Sequence, residues 1–580
     1  MADMIHLKIN GIDVETPKDS TILEAAQIAG VRIPTLCYLK EINAIGACRV
    51  CLVEVKGARG LMAACVAPAT EGMEVFTNTP KLQTYRKQTL ELILSNHRMD
   101  CLSCVRSTNC ELQTLAKEYG VESPSSEGLR EPEIDDSAVH LIRDNSKCIL
   151  CRRCTAVCSS LQKVGVIGPI SRGFETHIGS AFEVSLDETS CIHCGQCVQI
   201  CPTGALTVHD DSSKVWAALN DETKHVVVAP APSVRVQLGE FFDMPMGTNV
   251  EGKLAAALRR LGFNAVFDVD TAADITIMEE GTELLHRLQH GGKLPLITSC
   301  SPGWVKFCEY YYPDFVENIS SCKSPQQMFG ALTKSYYADK MGLDPKNIFV
   351  VSIMPCTAKK FEITRDAQNA VGAPDVDVSL TTTELAGMIK RAGIMFSDLP
   401  DEAFDPVFGV ASGAGHIFGA TGGVMEAALR TVAEIVTGKP LESLEFHEVR
   451  GTTDIKEAEY DLAGTKVRVA VTSGLTNAAK LLDSIKNGEA HYDFIEVMAC
   501  PGGCVNGGGQ PPVPGHIRNT KDVRAIRASG LYSEDAGMAL RKSHENPVVK
   551  EIYDTYLDAP GSHKAHKLLH TRYAPRKIYK

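Results

Sequence analysis

The chain has 580 residues, 44% apolar and 22% charged, a globular composition that excludes a disordered or collagen-like protein. Its net charge of −12, from 71 acidic against 59 basic residues, argues against a nucleic-acid or anionic-membrane partner. The length suggests roughly three or four domains, and 15 of the 21 cysteines fall in the first 201 residues, in close-set groups that suit metal better than disulfides.

The N-terminus carries no basic, apolar or twin-arginine export signal. No apolar run reaches the ~18–20 residues of a membrane span, so the expected location is a reducing cytoplasm. Residues 5–16 predict two strands around Asn10-Gly11. A helix follows from the capping box Thr21-x-x-Glu24 to about Ala29, then a strand at Val53–Val55, and this α+β unit ends near residue 80. Residues 81–119 predict helix, with apolar positions at Leu90, Leu92, Ile93, Leu112 and Leu115. Ser123–Glu133 reads as linker, and 140–210 as loops wrapped around clusters. From about 224, strand-like runs at Val226–Val228, Ala265–Val269, Leu294–Ile297, Ile348–Ile353, Val467–Val471 and Phe494–Val497 alternate with helical stretches such as Lys253–Leu261, Ile277–Leu288 and Thr383–Ala392. That is an α/β pattern, in which working residues collect beyond the carboxyl ends of strands. Cys300, Cys356 and Cys500 each follow such a run.

Four metal-ligand groups precede residue 202. Cys37, Cys48, Cys51 and Cys65 supply the four thiolates of a [2Fe–2S] cluster. Zinc accepts the same set. The hairpin–helix–loop context resembles plant-type ferredoxin, although Cys37-x10-Cys48 is wider than the plant spacing. His97, Cys101, Cys104 and Cys110 offer one imidazole and three thiolates, which suit iron–sulfur or zinc equally; a lone histidine is more often a satisfied polar residue. Cys148-x2-Cys151-x2-Cys154-x3-Cys158 and Cys191-x2-Cys194-x2-Cys197-x3-Cys201-Pro202 carry the bacterial two-cluster spacing. That pattern implies exchange of the fourth ligand: Cys148, Cys151, Cys154 and Cys201 on one [4Fe–4S], and Cys191, Cys194, Cys197 and Cys158 on the other. Four one-electron carriers make a wire to a separate reaction centre.

Three later segments contain cysteine: Thr298-Ser299-Cys300-Ser301-Pro302-Gly303-Trp304; Met354-Pro355-Cys356-Thr357-Ala358-Lys359-Lys360-Phe361-Glu362; and Glu496-Val497-Met498-Ala499-Cys500-Pro501-Gly502-Gly503-Cys504-Val505-Asn506-Gly507-Gly508-Gly509. In order, they resemble the three signature segments of the [FeFe]-hydrogenases. The four upstream groups look like the accessory domains of the large clostridial monomeric type, and the whole resembles the catalytic subunit of cytoplasmic NAD(P)-linked multi-subunit hydrogenases. Arg541–Asn546 resembles a separate small subunit of periplasmic relatives.

The resemblance implies an α+β multidomain protein, with N-terminal ferredoxin-like iron–sulfur domains followed by an α/β H-cluster domain. The expected division is 1–80 [2Fe–2S], 81–122 His/Cys3 [4Fe–4S], 123–139 linker, 140–210 two-cluster, 211–527 catalytic and 528–580 small-subunit-like. It also implies an H-cluster, a [4Fe–4S] cube joined to a di-iron unit bearing CO, CN⁻ and azadithiolate. Cys356, Cys500 and Cys504 match cube ligands, and Lys359 matches the donor to a cyanide. Pro232 and Ser233 match the segment cradling the other cyanide, and Met354, Met498, Gln326 and Phe418 the wall. The family commonly has two adjacent cysteines where this chain has Cys300-Ser301; the first passes protons and the second is the fourth cube ligand. Either Ser301 ligates through oxygen, or Cys300 becomes the ligand, or the cube has an unusual fourth ligand. Glu280, Glu283 and Ser320 match the proton path; without the resemblance, Glu279, Glu280 and Glu283 read as a solvated helix face. Cys308 and Cys322 fit no ligand pattern and read as buried small hydrophobes.

The expected activity is 2H⁺ + 2e⁻ ⇌ H₂. The chain lacks a Gly-x-Gly-x-x-Gly fingerprint, so NAD(P) and flavin belong on partner iron–sulfur subunits, or ferredoxin is the partner. Two rivals are an electron-transfer subunit like that of respiratory NADH dehydrogenase, and a non-catalytic hydrogenase-like protein of iron–sulfur assembly.

Overall fold

Asn10 and Gly11 both take positive φ (52° and 84°), the turn whose twist matches a right-handed hairpin. They join β1 (Met4–Ile9) to β2 (Ile12–Pro17) in register from Met4↔Pro17 to Ile9↔Ile12. With β3 (Leu52–Val55), β4 (Met62–Ala63) and β5 (Glu74–Phe76) they form a sheet of order β2-β1-β5-β3-β4. The helix Ile22–Ile28, capped reciprocally by Thr21 and Glu24, packs its buried Ile22, Leu23, Ala25 and Ala26 on this sheet. Next come the helices Pro80–Ser95 and Glu111–Glu118, which share a core of Leu90, Leu94, Leu112 and Leu115. The coordinates form a computed structural model that describes residues 3–126, 128, 133–452, 455–462 and 464–578.

The expected linker 123–139 needs correction at its far end. β6 (Ile134–Ala138) pairs antiparallel with β7 (Leu141–Asp144), and β10 (Leu206–Val208) closes the sheet in order β10-β7-β6. Of β6 only Ala138 is fully buried, so the strand shows no apolar alternation and is held by its ladder. Residues 127 and 129–132 of that stretch lie outside the described residues. A separate hairpin of β8 (Ile167–Ile170) and β9 (His177–Ser180) completes this region.

Two four-stranded sheets then form the α/β part. β11 (His225–Pro230), β12 (Ala265–Val266), β14 (Ile348–Met354) and β15 (Val378–Thr381) are all parallel, in order β12-β11-β14-β15. β13 (Leu296–Ile297), β16 (Ile455–Leu462), β17 (Thr465–Ser473) and β18 (Phe494–Met498) form the other, order β13-β18-β17-β16, antiparallel only at β16. Val469 and Val471 face one apolar cluster while Ala470 faces another, so this sheet is covered on both faces.

Between the sheets runs the 22-residue helix Val269–His290, with Ile275 in the core of the first and Ile277 in that of the second. It starts eight residues before the expected Ile277, within the predicted strand Ala265–Val269. The Asp268 carboxylate caps it by accepting from Asp270 N at 3.1 Å, and burial on several sides erases the one-faced pattern that marks a surface helix. The expected boundary at 527/528 falls inside the helix Val523–Gly537. This C-terminal segment is part of the core: Val549, Ile552, Leu568 and Leu569 pack in the first sheet's cluster. Among the described residues, no helix is long and apolar enough to cross a membrane.

Candidate active site

Strand ends of both sheets converge on one cavity. After β11 comes the turn Pro232–Val234, and after β13 come Cys300 and Ser301; β14 ends at Met354 with Cys356 just beyond, and β18 ends at Met498 with Cys500 just beyond. The cavity is lined by Pro232, Ser233, Cys300, Ser301, Gln326, Met354, Cys356, Lys359, Phe418, Met498, Cys500 and Cys504. Burial raises the thiols of Cys356, Cys500 and Cys504, the last to about 12. Ligation by thiolate there would release protons. Three soft sulfur donors from two motifs, one lysine and a largely apolar wall fit an iron–sulfur cofactor carrying anionic ligands.

The glycines of the last motif do more for the protein than for a cofactor. A Cβ on Gly507 would lie 2.3 Å from Pro355 O, and one on Gly508 2.5 Å from Cys194 O. They let this loop press against the motif after β14 and against the two-cluster region.

Lys359 Nζ donates to Glu362 Oε2 at 2.8 Å, which also accepts from Ser324 Oγ (2.8 Å) and Gln326 Nε2 (3.0 Å). Ser352 and Ser379 donate to Gln326 Oε1 and fix its amide. Glu362 is a positioning residue that the sequence reading did not single out; the i, i+3 spacing from Lys359 was its available signal. Gln510, which donates to Ser233 Oγ at 3.2 Å, had no such signal.

Ser301 stands at the N-cap of the helix Pro302–Tyr311, with Oγ accepting from Ala499 N at 3.2 Å. Cys300 is different: burial first, then the nearby Glu280 carboxylate, hold its thiol well above the ordinary value. Glu280 is itself pushed up to about 8 by burial and by Glu283, with Ser320 and the Ser299 backbone pulling the other way. Ser320 Oγ donates to Glu283 Oε2 at 2.8 Å, and Arg287 Nη2 donates to Glu283 Oε1 at 2.5 Å. The solvated-face reading of these glutamates is overturned, since Glu279 and Glu280 are each 1% exposed. The helix lies between the sheets, so its carboxylates point into the protein. Cys308 and Cys322 are both fully buried.

Upstream, Cys51 Sγ lies 3.4 Å from Cys65 Sγ, and Cys37 lies close enough to Cys48 and Cys65 for their thiols to perturb its own. The imidazole of His97 is held below its ordinary pKa chiefly by burial, and its Nδ1 is buried without a hydrogen-bond partner. A neutral ring with a free nitrogen suits a metal ligand. Cys104 lies against Gly204, where a Cβ would meet its Sγ at 2.7 Å, and Cys101 is partly exposed while Cys110 is buried. One cavity is lined by Cys148, Cys151, Cys154 and Cys201, and a neighbouring one by Cys158, Cys191, Cys194 and Cys197. Cys194 also lines the large cavity, so the wire and the reaction centre share a wall.

Residues 224–508 match the family described as iron only hydrogenase large subunit, C-terminal domain, and 521–576 match iron hydrogenase small subunit. Residues 2–80 match a 2Fe-2S iron-sulfur cluster binding domain, 86–125 the NADH-ubiquinone oxidoreductase-G iron-sulfur binding region, and 147–205 a 4Fe-4S dicluster domain. The chain is 48% identical to the NADP-reducing hydrogenase subunit HndD of Solidesulfovibrio fructosivorans, over 99% of both chains. It is 44% identical to iron hydrogenase 1 of Clostridium pasteurianum, over 97% of this chain and 99% of the other. A solved apo [FeFe]-hydrogenase of Chlamydomonas reinhardtii aligns with TM-score 0.57 at 44% identity, covering 63% of this chain and 99% of that one. With iron–sulfur domains ahead of two sheets whose strand ends share one cysteine-lined cavity, and with this identity along nearly its whole length, the chain belongs to the [FeFe]-hydrogenases and is an iron hydrogenase oxidoreductase.

Proposed function

We propose that the chain interconverts protons and electrons with H₂ at an H-cluster, fed by one [2Fe–2S] and three [4Fe–4S] accessory clusters. The observation that carries this reading is the single cavity in which Cys356, Cys500 and Cys504 meet Lys359, Cys300 and Cys194. Cys356, Cys500 and Cys504 would hold the cube. Ser301, which lines the same cavity, would offer its Oγ as the fourth donor, leaving the Cys300 thiol for proton transfer. An oxygen suits this soft-thiolate site poorly, which makes that bond the weakest of the four.

When bound, the di-iron unit supplies the redox-active metal at which protons and electrons combine. Lys359, steered by Glu362, would donate a hydrogen bond to an anionic ligand of that unit, and Pro232 and Ser233 would cradle another. Met354, Met498 and Phe418 keep competing water away. Glu283, Ser320, Glu280 and Cys300 would pass protons inward: Ser320 Oγ donates to Glu283, and burial holds the Glu280 carboxyl and the Cys300 thiol toward their protonated forms. Cys191, Cys194, Cys197 and Cys158 would hold the accessory cluster nearest the cavity, whose wall Cys194 shares, and that cluster would supply the electrons.

The electron partner is a flavin- and NAD(P)-binding iron–sulfur subunit or ferredoxin, in the cytoplasm. The likeness to a subunit named as NADP-reducing hydrogenase supports the first. Protein matured with the complete cofactor should display CO and CN⁻ infrared bands and exchange electrons between H₂ and a viologen dye. Intact clusters without bands or H₂ activity would favour the electron-transfer-subunit reading.

A further inference from the structure

We propose that His570, on the C-terminal segment, holds a proton in exchange with Glu283 through the Ser321 hydroxyl, extending the proton path beyond Glu283. This rests on the proton path proposed above.

Glu283 Oε2 accepts from Ser320 Oγ at 2.8 Å, from Ser321 N at 3.1 Å and from Ser321 Oγ at 3.3 Å. Ser321 Oγ in turn lies 2.8 Å from His570 Nδ1. On the other side of the ring, His570 Nε2 lies 3.0 Å from Glu279 Oε2. The Glu279 carboxylate is further held by Tyr553 OH (2.6 Å) and Gly561 N (2.9 Å). The backbone around His570 is clamped to the same loop, Lys323 N to Leu569 O and Thr571 N to Ser321 O, each at 2.8 Å. The side chain of His570 is 6% exposed. The exposed His566 stacks on it at 3.9 Å between ring centroids.

This geometry sets the tautomer. A carboxylate only accepts, so Nε2–H donates to Glu279 and the lone pair of Nδ1 faces Ser321. The Ser321 hydroxyl has one proton and two acceptors in reach. When Glu283 is protonated it gives its proton to Ser321 Oγ while the hydroxyl proton moves to Nδ1. The products are the Glu283 carboxylate and a His570 imidazolium lying between two carboxylates; the reverse step recharges Glu283. No other bond changes and no electron moves.

The groups facing His570 are Glu279 and, through Ser321, Glu283 on the helix Val269–His290, together with the buried Cys322, His566 on its own helix, and Tyr553 behind Glu279. Burial and His570 hold His566 below its ordinary value, which keeps a second positive charge away from the ring.

The test compares matured full-length enzyme carrying His570→Gln, Ser321→Ala or Glu283→Gln. Viologen-driven H₂ evolution by the first two should fall relative to wild type by about tenfold more at pH about 6, where a histidine can carry the second proton that recharges Glu283, than at about 9. In infrared difference spectra, the carboxyl band that Glu283→Gln abolishes should move in His570→Gln and in Ser321→Ala, because the hydrogen bonding of the Glu283 carboxyl changes. Ser321→Ala keeps the His570–Glu279 pair and both backbone clamps, so it reports even where His570→Gln misfolds. A pH-independent activity ratio with an unmoved carboxyl band overturns the role of His570 alone. Full activity in Glu283→Gln overturns the proton path and this extension with it.

Discussion

The two-cluster region and the α/β part solve the problem of burying cysteine in opposite ways. Around the two accessory cavities the core is small and built partly of thiols: Cys154 and Cys201 belong to it, and Cys148, Cys158, Cys191 and Cys197 pack against it. In the α/β part, two covered sheets and the helix Val269–His290 supply a large hydrocarbon core, and the cavity cysteines sit at its edge, on strand ends. Metal is therefore a structural element of the first region and a guest of the second. The same donor atom contributes to folding in one place and to chemistry in the other.

Removing iron is the sharpest way to break that contrast. Metal-ligand bonds in small cluster domains stand in for core burial, on the order of 10 kcal/mol per site. Iron-free protein should therefore lose hydrogen-exchange protection throughout 140–210 while β11, β14, β17 and β18 stay protected. The N-terminal sheet, with an apolar core of its own around Ile9, Leu23 and Val53, should fall between. Equal loss in both regions would end the distinction.

Within the α/β part, guest chemistry should be removable without unfolding. Glu280→Gln keeps the shape and loses the transferable proton, so H₂ evolution should drop about 10²–10⁴-fold, with accessory-cluster EPR signals unchanged. Lys359→Met removes the hydrogen bond offered to the cofactor and strands the buried Glu362 carboxylate. Activity or cofactor retention should fall about 10–100-fold, seen as an iron deficit or shifted CN⁻ bands.

The contrast also explains what was legible beforehand. Groups such as Cys191-x2-Cys194-x2-Cys197 declare themselves by spacing, because one short loop wraps one cluster. The α/β cavity draws on Pro232, Cys300, Cys356 and Cys500, almost 270 residues from first to last, and only three local motifs with a family likeness pointed to it. The acidic stretch Glu279–Glu283 was misread on composition because charge predicts exposure unless the fold supplies partners, here Tyr553, Gly561 and His570 from far along the chain. β6 escaped because a strand with a single fully buried residue leaves no alternation to read.

The smallest expected effect concerns the cost of burying Glu280. Its carboxyl is pushed up to about 8 in the folded protein, chiefly by burial, against about 4.3 in an unfolded chain. Below the unfolded value both states hold the proton and the group costs nothing. As pH rises toward 8 the unfolded chain releases it and the folded one does not, so stability drains away across that window and levels off above it. Glu280→Gln cannot titrate, so its melting temperature should climb relative to wild type between pH about 5 and 8, by about 2–5 °C at most in a chain this long. A pH-independent difference for Glu280→Gln would mean that the helix between the sheets is wetter than its packing indicates, and that the proton path opens to water before it reaches Ser320.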